Sequence, residues 1–121
     1  MKKPLPGRPV RGSSTGRPIM ALLDLLGRRT ALRVLWELRR DRLTFRALLT
    51  AAETNPGVLN ARLAELREAG IVALTADGYA LTPRGRDLLK RLMPLGAWAE
   101  RWAADLDAPK RKGERSRAGP A

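Results

Sequence analysis

The stretch from Thr44 to Gly70, TFRALLTAAETNPGVLNARLAELREAG, constrains the fold more than any other part of the chain. Thr44 is a good N-cap for FRALLTAA over 45–52, because its hydroxyl can accept from an orphan N–H of the first turn. After the short link Glu53–Thr54, Asn55 supplies a second N-cap. Pro56 takes a first helical position, where its missing N–H costs nothing. Leu59, Leu63 and Leu66 then recur at i, i+4 and i+7, which is one face of a helix. Gly70 is a stop signal. Two helices joined by so short a link read as a helix-turn-helix.

The next segment, IVALTADGYALT, changes period. Two short apolar runs flank Ala76–Asp77–Gly78, and Asp-Gly is a hairpin-turn dipeptide because both residues tolerate positive φ. Strands are expected at about 71–74 and 79–81. Thr82 then caps a last helix with Pro83 at its first position. That helix is expected to run to about Leu106, kinked or interrupted at Pro94. Upstream, Pro18 opens a helix over about 18–26, with Ile19, Leu22, Leu23 and Leu26 as its inner stripe and Gly27 as its end. A second helix fits 29–40, with Leu32, Leu35, Trp36 and Leu38 inward. Phe45, Leu48 and Leu49 face inward on the third. There is no internal repeat. The chain is expected to be mostly α with a short β-hairpin, a winged helix-turn-helix.

Its 121 residues suit one small domain with a modest core. No apolar run approaches the ~20 residues of a membrane span. Residues 18–26 loosely mimic the apolar part of a signal peptide. Asp24 interrupts them, Arg28 and Arg29 follow, and no small-residue cleavage site appears, so the reading is cytoplasmic. The chain has no Cys and no His, which excludes disulfides, thiolate sensing and zinc sites of the usual kind. Ser13, Ser14 and Ser116 all sit near the ends, so no Ser/His nucleophile pair can be built. The twelve acidic residues form no cluster. No enzyme activity, metal or cofactor is expected.

The net charge is +12. Residues 1–17 carry +5, residues 107–121 carry +3, and residues 18–106 carry +4 with fourteen basic and ten acidic side chains. Both ends are rich in Pro, Gly, Ser and charge and are expected to be basic disordered tails flanking a folded domain over 18–106. Such tails suit a polyanion, most simply nucleic acid, or serve only as solubilising extensions.

With its leucines inward, the fourth helix presents Gly57, Asn60, Ala61 and Ala64 near its N-terminus, the part of a recognition helix that reaches base edges. Asn60 can pair with adenine through two hydrogen bonds, and the alanines can touch thymine methyls. Gly57 lets the backbone come close. Arg46, Arg62, Arg84 and Arg86 are the candidate phosphate contacts, with the helix N-terminus behind Asn55 offering N–H groups. Arg62 has a competing structural reading, as a partner of Glu65 or Glu53. Glu65 and Glu68 suggest that the C-terminal half of the helix points away from phosphates.

Taken together, GRRTALRVLWEL (27–38), Phe45, Leu48, NPGVLNARLAELREAGIV (55–72), LTPRGRDLL (81–89) and AWAERW (97–102) resemble the HxlR family of bacterial winged helix-turn-helix transcriptional regulators. The resemblance covers roughly 18–102 and departs in three places. The family often carries a cysteine near the N-terminus, and this chain has none. The wing is short, with no Lys or Arg over Thr75–Gly78. Arg29 stands where a tryptophan is frequent. The resemblance implies a homodimer built by N- and C-terminal helices, with Leu22, Leu23, Leu92, Leu95, Trp98 and Trp102 at the interface. The expected function is sequence-specific binding of double-stranded DNA by a dimeric transcriptional regulator, with repression the simpler mechanism. The alternative is a winged-helix module that docks a protein, or holds nucleic acid without sequence preference through its tails. No residue pattern identifies a small-molecule effector.

Overall fold

In a computed structural model, residues 4–9 and 16–112 of the protein are described, with side chains as far as Asp107. The helices are α1 (Pro18–Leu26), α2 (Ala31–Glu37), α3 (Phe45–Ala51) and α4 (Pro56–Glu68), then α5 (Pro83–Leu92) and α6 (Pro94–Lys112) after a hairpin of β1 (Val72–Thr75) and β2 (Gly78–Leu81). This is the expected winged-helix order. Contacts divide the chain into two units, Met1–Leu89 and Lys90–Ala121. Most of the expected basic tails lies outside the described residues. Within the first, Gly7 N–H donates to Gly16 O at 2.9 Å and Pro4 is buried.

Apart from α2, each helix starts on a proline or behind a capping side chain. Thr44 Oγ1 accepts from Ala47 N–H at 3.1 Å, and Asn55 Oδ1 from Val58 N–H at 2.9 Å. Thr82 Oγ1 accepts from Gly85 N–H at 3.0 Å and donates to Gly70 O at 2.7 Å. Pro94 does interrupt the last helix: it opens α6, which runs on past Leu106 to Lys112.

The ends of α3 and α4 share one motif. At α4, Ile71 N–H reaches Leu66 O at 2.9 Å and Gly70 N–H reaches Arg67 O at 3.0 Å, with Gly70 at φ 78°. At α3, Thr54 N–H reaches Leu49 O at 3.4 Å and Glu53 N–H reaches Thr50 O at 3.2 Å. Here Glu53, at φ 53°, holds the left-handed position that glycine favours. Thr30, before α2, is also left-handed at φ 77° and makes no side-chain cap, a strained setting for a β-branched residue.

The core of the first unit is built from Ala21, Leu25, Ala31, Val34, Leu35, Leu38, Leu48, Leu59, Leu63, Leu66, Ile71, Val72 and Leu81. Leu59, Leu63 and Leu66 are buried as the leucine spacing predicts, and Phe45 and Leu49 are half-buried. Two helix phases differ from expectation. On α2 the inner face is Ala31, Val34, Leu35 and Leu38, while Leu32 and Trp36 are exposed. The i, i+3, i+4, i+7 spacing of the smaller residues won over the larger ones. Arg39 covers Trp36 instead, its guanidinium 3.8 Å from the ring centroid. On α1, Ala21 and Leu25 are buried, Leu22 and Leu26 are half-buried, and Ile19 and Leu23 point out.

The hairpin pairs Val72 with Leu81, Ala73 with Ala80, Leu74 with Tyr79 and Thr75 with Gly78. Its two-residue loop is therefore Ala76–Asp77, one step earlier than Asp-Gly. Positive φ falls on Gly78 alone, at 131°, and not on Asp77. Leu43 adds a third, single-residue strand through Leu43 N–H to Tyr79 O at 2.9 Å and Tyr79 N–H to Leu43 O at 2.7 Å. A Cβ at Gly78 would sit 2.6 Å from Leu43 O, so this bridge needs the glycine. Gly85 is a second close approach: a Cβ there would run into Ile71 O, which seats the start of α5 on the link between α4 and β1.

Candidate nucleic-acid interface

The second helix of the helix-turn-helix, α4, is held from three sides. Its first turn is capped by Asn55, its inner face is buried through Leu59, Leu63 and Leu66, and its end is closed at Gly70. The remaining surface near the N-terminus presents Gly57, Asn60 and Ala64 to solvent, with Ala61 half-buried. A Cβ at Gly57 would meet only Asn55 Oδ1, at an ordinary 3.5 Å. The chain's own packing therefore does not demand glycine there.

Of the first-turn donors, Val58 N–H is taken by Asn55 Oδ1 and Leu59 N–H by Asn55 O. Pro56 has no N–H. The donors expected behind Asn55 thus reduce to Gly57 N–H and the side-chain Nδ2 of Asn55, which is exposed.

The candidate phosphate contacts separate into two kinds. Arg46 on the first turn of α3, and Arg84 and Arg86 on the first turns of α5, are exposed and make no ion pair among the described residues. Arg62 is different. Its Nε lies 2.9 Å from Glu65 Oε1, off the N–H axis, its NH2 donates to Glu65 Oε2 at 3.3 Å, and its NH1 donates to Arg29 O at 3.2 Å. Its side chain is 16% exposed. The structural reading of Arg62 is the one the geometry favours, and it leaves the phosphate set.

Glu65 is buried, and besides Arg62 it has a partner that the sequence reading did not name: Arg28 NH1 donates to its Oε2 at 2.9 Å. Arg28 NH2 also donates to Asp24 Oδ2 at 3.1 Å. Asp24, Arg28, Glu65 and Arg62 form a continuous charge chain from α1, through the turn before α2, to α4. Its local pairs, i,i+4 and i,i+3, were readable from spacing. The Arg28–Glu65 link joins positions far apart in sequence, so no local pattern signals it.

At the wing, Arg42 NH1 lies 3.4 Å from Asp77 Oδ2, and Thr75 Oγ1 closes the loop by donating to Gly78 O at 2.7 Å. The loop thus presents a carboxylate, which repels phosphate, and Arg42 is a neighbouring cation that the sequence reading passed over. Arg33 donates to Glu37 at 2.8 Å and to Ala51 O at 2.8 Å. The Glu37 bond raises its pKa, so this guanidinium stays charged while tying α2 to the end of α3.

The residues expected at a dimer interface are placed unevenly. Leu23, Leu95, Trp98 and Trp102 are exposed, whereas Leu22 and Leu92 are half-buried. On α6 the rings of Trp98 and Trp102 stack at 5.7 Å between centroids, 24° from parallel. Among the described residues, no helix is long and apolar enough to cross a membrane.

No family model matches the sequence, and no curated protein matches it. Among solved structures, the chain is similar to the quinone-bound YodB from B. subtilis, at 26% sequence identity and a TM-score of 0.64. The match covers 69% of this chain and 96% of YodB. Together with the element order and the capped, outward-facing α4, this similarity marks the chain as a winged-helix protein of the transcription-regulator kind.

Proposed function

We propose that the protein is a sequence-specific, dimeric, HxlR-type DNA-binding regulator of the cytoplasm that represses transcription by occupying a promoter. It is not an enzyme in this reading. The observation that carries it is the division of α4: every large inward residue is engaged by the chain itself, while Gly57, Asn60 and Ala64 stay bare. In this reading α4 enters the major groove, with Asn60 facing a base and Gly57, Ala61 and Ala64 allowing close approach. Arg46, Arg84, Arg86 and Asn55 contact phosphates. So small a base-reading set implies that DNA shape carries part of the specificity.

The dimer is supported by apolar surface left uncovered in the single chain. Leu95, Trp98, Trp102 and Leu106 on α6 are each more than half exposed, as are Ile19 and Leu23 on α1. A dimer with its two recognition helices about one DNA turn, roughly 34 Å, apart would read a pseudo-palindrome.

The test is fluorescence-anisotropy binding to duplexes recovered by selection from random DNA, against a scrambled duplex, across a salt series. Full-length protein and residues 18–106 are compared. A regulator prefers its selected duplex by about 10³-fold or more, with or without the tails. Asn60→Ala weakens the selected duplex by about 1–3 kcal/mol and leaves the scrambled one nearly unchanged, whereas Arg46→Ala weakens both and lowers the salt slope by about one unit. Loss of all affinity with the tails, and no enriched sequence, would establish a tail-driven polyanion binder instead.

A further inference from the structure

The buried charge chain lies beside the proposed reading surface without forming part of it. Glu65 follows Ala64 directly and stands one helical turn beyond Ala61. Two independent ties run from α4 to the turn before α2: Glu65 to the Arg28 guanidinium at 2.9 Å, and Arg62 to the Arg29 carbonyl at 3.2 Å. They leave α4 at positions one turn apart. Arg28 is in turn held to the body of α1 by Asp24 at 3.1 Å. Both Glu65 oxygens lie near a guanidinium, so the plane of the carboxylate is fixed as well as its place.

Stability is not what such a group supplies best. Buried ion pairs roughly break even against apolar residues of similar volume, because desolvation offsets the attraction. Directionality is what they add. The leucine face of α4 is non-directional and tolerates small rotations, but charge-assisted bonds do not. At a helix radius of roughly 5–6 Å, a rotation of 10° sweeps a surface side chain through about 1 Å. That shift takes a 2.9 Å hydrogen bond to a base out of range.

We propose that Asp24, Arg28, Glu65 and Arg62 are positioning residues that index the rotation and height of α4 against α1, and so set how well the protein tells its site from other DNA. The inference rests on α4 being the recognition helix. It deepens that reading by assigning specificity to residues that touch no DNA.

The test uses the full chain and the same pair of duplexes, with the melting temperature followed by circular dichroism. The triple variant Asp24→Leu/Arg28→Met/Glu65→Met replaces the three most buried members of the chain by apolar groups and leaves Arg62 only its bond to the Arg29 carbonyl, and Glu65→Gln removes only the charge. The triple variant is expected to melt at or near the wild-type temperature, yet to lose at least tenfold in the ratio of selected to scrambled affinity. Its scrambled-duplex affinity should stay within about twofold. Glu65→Gln should lower the same ratio at a temperature where it is fully folded. A folded triple variant that keeps the wild-type ratio would overturn the proposal while leaving the recognition helix standing. A wild-type protein with no preference would overturn the recognition helix itself, and the positioning role with it.

Discussion

Two helices of similar apolar content meet opposite fates in this chain. On α4, Leu59, Leu63 and Leu66 are at most 2% exposed, and even the buried carboxylate of Glu65 has its guanidinium. On α6, Leu95, Trp98, Trp102 and Leu106 are all more than half exposed. The first helix is complete within its own unit, so its outer face is free for a ligand to read. The second presents its best packing surface to whatever arrives. An apolar face thus serves cohesion in one place and leaves a demand for a partner in the other.

The largest effect that tests this contrast is Leu59→Ala, which should cost about 2–5 kcal/mol by chemical denaturation, since it opens a cavity in a closed core. That cost should not depend on protein concentration. Trp102→Ala removes a larger side chain and should do the reverse. It should change the stability of the isolated chain by no more than about 0.5 kcal/mol, while weakening self-association by about 2 kcal/mol or more in ultracentrifugation. Equal, concentration-independent losses for both would mean that the α6 stripe is already covered.

Two smaller predictions sharpen the picture of α4 and its approach. Glu53→Gly should raise stability by roughly 1 kcal/mol, because it relieves a left-handed glutamate at the end of α3, with the denaturation midpoint as the measure. Gly57→Ala should raise stability by about 0.4–1 kcal/mol, since the position is helical and open. The same change should weaken binding to the selected duplex. A methyl that stabilises the protein and also leaves DNA binding untouched would remove Gly57 from the interface.

Much of the architecture was legible because its signals are local. Thr44, Asn55 and Thr82 announce helices by capping chemistry, Pro18, Pro56, Pro83 and Pro94 by their fixed φ, and Gly70 ends α4. The leucine spacing of α4 admitted only one phase. On α2 the sequence allowed two, because Ala31 and Val34 are modest hydrophobes beside the more conspicuous Leu32 and Trp36. What stayed hidden depends on tertiary contact. The Leu43 strand exists only because Tyr79 comes alongside it. Gly85 is required only because Ile71 O presses on it, and Glu53 takes a glycine's place with no sign in its identity. At the candidate site, the exposed face of Asn60 followed from the leucines. The pairing of Arg62 with Glu65 was open to the sequence through its i,i+3 spacing, whereas the burial of Glu65 against Arg28 was not, because only the folded chain brings Arg28 near.

The charge chain has a consequence for how the molecule looks from afar. Its two cations and two anions cancel within a few ångströms, so together they act as a compact multipole whose field fades much faster than that of a lone charge. At a Debye length, about 8 Å in physiological salt, an approaching phosphate barely registers them. The long-range potential that draws a polyanion inward is therefore written by the outer residues alone. In the positioning role proposed for them, the inner four take effect only at contact, where orientation and not attraction would decide which sequence stays.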